Sequence, residues 1–136
     1  PQGRFNNSSD KHIRDYISEH CRILAVIGLH GNVFKPHTGT KTSVLLVQKW
    51  DNELCPKKED YPIFFATMQE PSKDNSGDKL YWLNDDGSYK LDTHEHLVVA
   101  HDLYKIKLKD GTETQDGIAE AFLEFAKKEN FSFVGK

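Results

Sequence analysis

RILAVIGLHGNVFKPHTGTKTSVLLVQK, residues 22–49, is the stretch on which the fold turns. Residues 22–29 form a continuous apolar run with β-branched content and no polar alternation. A run this short reads as a strand covered on both faces. His30, Gly31 and Asn32 end it. Residues 43–49 (SVLLVQK) read as a second apolar strand, closed by Trp50. About a dozen residues lie between the two, with no helical pattern, and a parallel return needs a long crossover. The pair is therefore expected to be antiparallel. Its connection, VFKPHTGTKT, is a long loop rich in Pro, Gly and Thr, the kind of segment that carries function.

Upstream, Asn6, Asn7, Ser8, Ser9 and Asp10 form a polar cluster in which any of the last three can cap a helix. Ile13, Tyr16, Ile17 and Cys21 follow at near-helical spacing, with Arg14 and Ser18 on the other face, so residues 10–20 read as a helix. Downstream, residues 51–60 are polar and charged. Residues 61–67 (YPIFFAT) read as a strand that Pro62 confines to an edge or makes begin at Ile63. Residues 70–79 are a polar loop. LYWL (80–83) and SYKL (88–91) flank NDDG, a hairpin signal. Residues 92–112 are ambiguous, and the alternation of Tyr104, Ile106 and Leu108 leans to strand. Ile118, Ala119, Phe122, Phe125 and Ala126 share one helical face, so residues 116–129 read as an amphipathic helix.

The chain has 136 residues and a net charge of −3, with 37% hydrophobic and 29% charged residues, enough to bury a core. Its charge is segregated. Residues 1–50 hold seven Lys/Arg against three acids, a balance of +4; the remaining 11 bases and 18 acids give −7. An anionic partner is expected to meet the basic front. The longest apolar run is too short to span a bilayer, and no signal peptide is evident. Two cysteines, Cys21 and Cys55, suit a reducing cytoplasm and exclude a disulfide scaffold. The chain opens on Pro1 and its only methionine is Met68, so it is expected to be part of a longer protein.

Several chemistries are excluded by motif: the chain has no GxSxG, no Walker loop, no CxxC and no HExxH. Gly28-Leu29-His30-Gly31 lacks the third glycine and the following helix of a dinucleotide fingerprint. His94, His96 and His101 make an HxH with a third histidine five residues on. A strand would turn the first two the same way, as zinc sites do, but no cysteine is near and Asp92, Glu95 and Asp102 make the region simply polar. A solvated loop is the expectation and no metal site is assigned. His30 and His37 flank the central loop as surface histidines. The loop itself sets Phe34 beside Lys35, Pro36, Gly39 and Lys41. An exposed ring among cations suits nucleic acid, the ring stacking on a base and the ammonium groups meeting phosphates. On composition alone, the simpler reading makes Phe34 a core residue closing the end of the sheet.

Read in order, these segments resemble the N6-adenine DNA methyltransferases, in particular the modification subunit of type I restriction–modification systems. Pro1, Gly3 and Phe5 match a PxGxLF-like turn, and Ile13-Arg14 the helix after it. Leu24 to Leu29, Val33-Phe34, Pro36, Thr38-Gly39 and Lys41-Thr42-Ser43 match the family's strand, loop and strand. IFFATMQEPSKDNSGDKLYW is similar to the family's F-x-A-x-x-E-x-x-G-x-D-x-x-G segment, and GIAEAFLEFAKK to its I-x-x-A-F-x-x-F helix. The chain departs at His30, where proline is usual, and at Asn32, where glycine is common. The resemblance covers nearly the whole chain.

The resemblance implies an α/β fold. Residues 1–50 would be the C-terminal end of a Rossmann-like S-adenosylmethionine-dependent methyltransferase domain, with 22–29 and 43–49 as its antiparallel last hairpin. Residues 51–136 would be a small mixed α+β extension with a hairpin and an amphipathic helix. It implies S-adenosylmethionine as cofactor of the parent enzyme. It implies DNA as substrate, specificity and restriction subunits as partners, a cytoplasmic location and no membrane. The family's glycine-rich cofactor loop and Asn-Pro-Pro-aromatic motif are absent, and no Asn-Pro pair occurs. No catalytic or cofactor-binding residue is therefore assigned, and the chain alone is expected to be inactive. In related enzymes an aromatic in the loop before the last strand stacks on the flipped adenine. Phe34 holds that position, and the resemblance puts this role ahead of the core role. Lys35 and Lys41 are candidates for phosphate by charge. The alternative is a non-catalytic module that docks DNA or other subunits.

Overall fold

The computed structural model describes residues 10–133. The turn expected at Pro1, Gly3 and Phe5 and the cap candidates Ser8 and Ser9 lie outside that range. The described residues fall into two compact units. The first takes the residues up to 29, 41–67 and those from 122; the second takes 30–40 and 68–121.

In the first unit the chain begins with α1 (Lys11–His20). Asp10 stands at its N-cap position without a side-chain cap bond. Lys11 and Asp15 pair across one turn at 2.7 Å, both exposed, so solvent screens the pair and it contributes little. The helix stops where Cys21 turns extended and β1 (Cys21–Gly28) begins. β2 (Ser43–Lys49) pairs antiparallel to β1, from Cys21 opposite Lys49 to Gly28 opposite Ser43. The expected hairpin is present, joined at its neck by the Leu29 amide donating to the Thr42 carbonyl at 2.9 Å. β3 (Phe64–Thr67) begins two residues after Pro62 and runs parallel to β1. The order is β2-β1-β3, a three-stranded mixed sheet with β1 in the centre.

A bulge between Ile23 and Ala25 breaks the strict alternation of β1. Leu24 and Ala25 are consequently both buried although they are neighbours. Leu24 packs with Ala126 and Phe131, flanked by Leu46, Phe122 and Phe125. Phe64 adds its ring at 5.6 Å from Phe122 and 5.7 Å from Phe125. Phe122 and Phe125 come from α2 (Ile118–Lys128), which starts two residues later than its periodicity suggests. The chain past α2 turns at Asn130, whose positive φ of 56° brings Phe131 back under the helix.

The second unit is a run of short hairpins held by single bridges: Tyr81 with Val99, Leu83 with Tyr89, Leu91 with Leu97, Asp92 with Leu108, Lys107 with Glu113. Met68, Val98, Ala100 and Leu108 are buried in it. The strand leaning of residues 92–112 is corrected here. Leu108 is buried while Tyr104 is exposed, so their alternation marks no single face. The turns are fixed by aspartates instead. Asp86 accepts the Ser88 amide and hydroxyl, Asp92 the amides of His94 and His96, and Asp110 the amide and hydroxyl of Thr112. These bonds favour the charged carboxylates and hold all three pKa values below the usual range.

Candidate nucleic-acid interface

The loop after β1 is built from consecutive turns. Val33 donates to the His30 carbonyl and Lys35 to that of Asn32. The Phe34 carbonyl accepts from both His37, at 3.0 Å, and Thr38, at 3.2 Å. The His30 ring takes the Asn32 amide at 3.1 Å, so this histidine serves as a turn cap. Thr38 closes the far side, its hydroxyl accepting the Thr40 amide. The backbone at Phe34 is thus pinned on its C-terminal side while the residue is 46% exposed.

Of the three residues singled out for binding, Phe34 and Lys35 lie in the second unit and Lys41 in the first. Lys41 is exposed. The Lys35 ammonium donates to the Asn75 carbonyl at 3.3 Å. In the opposite direction the Lys73 ammonium donates to the Lys35 carbonyl at 2.9 Å. Lys73 and Asn75 carry no motif of their own, and only the fold brings them to this loop.

His94 and His96 stand with ring centroids 6.2 Å apart and their amides on Asp92. No group of three or more His, Cys, Asp or Glu able to hold a metal converges among the described residues. A cavity of about 670 Å³ in the second unit is lined by Trp82, Lys90, His101, Glu70, Asp102 and Glu113 among others. His101 is half-buried there. Burial pushes its pKa down against the opposing charge of Asp102, and its Nδ1 accepts the Leu103 amide at 3.2 Å.

A model of the family described as N-6 DNA methylase matches residues 3–94, about two thirds of the chain. The chain belongs to the N-6 DNA methylase family. Its function is accordingly related to DNA methylation, and DNA is the substrate class. No curated protein and no solved structure matches it.

N-6 DNA methylases generally use S-adenosylmethionine. The described residues of this family member do not form a cradle for it. Gly28 ends a strand that runs into the turns at 30–37 and opens no helix. Gly77, Gly87 and Gly111 sit at positive φ in turns. The amino end of α2 is spoken for: Ile118 and Ala119 donate to the carbonyls of Asp102 and Leu103, and Gly117 to the Glu120 carboxylate. A Cβ on Gly117 would lie 2.5 Å from the Tyr104 nitrogen, so protein backbone already fills that space.

Proposed function

We propose that this N-6 DNA methylase chain serves the modification subunit of a type I restriction–modification system, and that Phe34 stacks on the adenine flipped from the duplex. β1 and β2 are, in this reading, the antiparallel last hairpin of a Rossmann-like sheet whose remaining strands carry S-adenosylmethionine and the catalytic motif. Residues 1–50 belong to that domain and 51–136 to a C-terminal extension, which meets the specificity and restriction subunits in the cytoplasm. Lys41 and the free donor capacity of Lys35 serve the DNA phosphates. The observation that carries the reading is the half-exposed Phe34 on a backbone-pinned turn between two antiparallel strands, in a chain of this family.

The test is a pair of substitutions in the methyltransferase that contains the chain. Phe34→Ala is expected to weaken binding of the flipped adenine by about 1–3 kcal/mol, the worth of one base–aromatic stack. It should leave S-adenosylmethionine affinity unchanged. Phe34→Trp should retain most methylation, because any large flat ring can stack. A core role for Phe34 predicts instead a stability loss of about 3–5 kcal/mol for Phe34→Ala, with every activity impaired together. Unchanged methylation with a lowered melting temperature retires the stacking role.

A further inference from the structure

We propose that the turn at residues 72–78 is the positioning element of the Phe34 loop, with Gly77 and Asn32 as the positioning residues. This deepens, and rests on, the stacking reading above. A half-exposed aromatic residue lacks the packing that fixes a core aromatic, so its direction is set by the backbone that carries it. The C-terminal side is held by the bonds of His37 and Thr38 to the Phe34 carbonyl. The rest of the loop is held by the 72–78 turn. Asn32 donates through Nδ2 to the Lys73 carbonyl at 3.0 Å and to Asn75 Oδ1 at 3.3 Å. Lys35 and Lys73 then tie the two segments reciprocally, each ammonium on the other segment's carbonyl.

The turn is itself rigid. Asp74 Oδ1 accepts the amides of Ser76 and Asp78, and Lys73 bridges to Lys79. Gly77 is its contact point. Its φ of +93° is one that L side chains rarely adopt, and a Cβ there would lie 2.6 Å from the Pro36 nitrogen and 2.7 Å from its Cδ. Glycine thus lets the turn press directly on the residue two beyond Phe34. Gly87 and Gly111 have nearly the same φ, +87° and +89°, with nothing within 4 Å of the Cβ position. The requirement at Gly77 is therefore contact as well as dihedral angle. A base-stacking platform held in place before binding spares the ordering cost at the encounter.

The experiment compares Gly77→Ala and Asn32→Ala with Gly87→Ala and Gly111→Ala, which carry the same backbone strain without the contact. Amide hydrogen exchange is followed at Lys35, His37 and Thr38, the loop amides that donate hydrogen bonds. Binding is followed with a fluorescent single-stranded oligodeoxyadenylate and an abasic oligonucleotide of equal length. Gly77→Ala and Asn32→Ala should raise exchange at Lys35, His37 and Thr38 by about tenfold or more, the opening expected when a local tie worth one or two hydrogen bonds is lost. They should remove the preference for the adenylate over the abasic strand to the extent that Phe34→Ala does, leaving abasic binding alone. Gly87→Ala and Gly111→Ala should change neither. Unchanged exchange in Asn32→Ala, or an equal rise in Gly87→Ala, overturns the proposal. Asn32→Ala carries the test if Gly77→Ala fails to fold. Raised exchange with no effect of Phe34→Ala on the adenylate preference upholds the tie and retires the stacking reading instead.

Discussion

Arg22 shows how much a single residue can hide in an apolar string. It is 7% exposed, its guanidinium carbon 5.0 Å from the Tyr61 ring centroid and 4.7 Å from that of Phe131, with Glu129 at 3.9 Å. A planar cation stacks between two rings in a way that an ammonium cannot. Arg22→Ala is expected to cost about 2–4 kcal/mol in urea unfolding, since it empties that slot and strands Glu129. Arg22→Lys should recover part of the loss and Arg22→Ala none. His101 makes the second prediction. Its folded pKa lies below the usual 6.5 because burial disfavours the charged ring. At pH values between the two pKa values the unfolded chain binds more protons. The stabilising contribution is therefore complete above about pH 6.5 and is lost as pH falls through the folded value. Protonation also takes the lone pair that accepts the Leu103 amide. Melting curves at pH 7.5 and 5 should converge when His101→Gln replaces the wild type. Asp86, Asp92 and Asp110, held below 3.8, do not titrate in that window.

Among the elements, β2 is one of the sheet's two edges. It has β1 as its only strand partner among the described residues, and Val44 and Val47 are 40% and 42% exposed. α1 has an apolar face of Ile13, Tyr16 and Ile17 yet buries no residue. An unpaired seven-residue edge without proline invites strand addition. The chain should self-associate in sedimentation at micromolar concentration. Val47→Lys should weaken that association by about tenfold while changing monomer stability by no more than about 0.5 kcal/mol. A variant that associates as the wild type does, at equal stability, refutes the edge as the contact. The helices and strands of this unit were legible because each carries its own period: the apolar runs of β1 and β2, and the helical spacing of Phe122, Phe125 and Ala126. The parallel pairing of β3 with β1 was not, because nothing in YPIFFAT names a partner. Residues 92–112 misled because their order comes from aspartate-capped turns and single bridges, such as Lys107 with Glu113. Phe34 and the chemistry of its loop could be read from residue types in a row. Its supports at Asn32, Lys73, Asn75 and Gly77 could not, because they meet only after folding across some forty residues.

For the molecule as a whole, the described residues form no cradle for the methyl donor. Isothermal titration of the 136-residue chain with S-adenosylmethionine should give no measurable heat of binding. A micromolar dissociation constant, about 8 kcal/mol of binding free energy, would overturn that expectation and the family reading of where the cofactor sits. No helix of the described residues is long and apolar enough to cross a membrane.

The interleaving of the two units has a consequence on the ribosome. The core partners of Leu24, Ala126 and Phe131, are made about a hundred residues after it. At roughly 5–20 residues per second, the sheet waits on the order of 5–20 s without its aromatic cover. The second unit, drawn from residues 30–40 and 68–121, is complete before that cover arrives. Released chains that end at residue 121 should therefore resist protease in the second unit while β1 and β2 remain cleavable. Protection of all three strands at that length would show that the sheet matures without α2. In the cell, the interval defines when this protein most needs a holding chaperone: between the synthesis of β1 and that of α2.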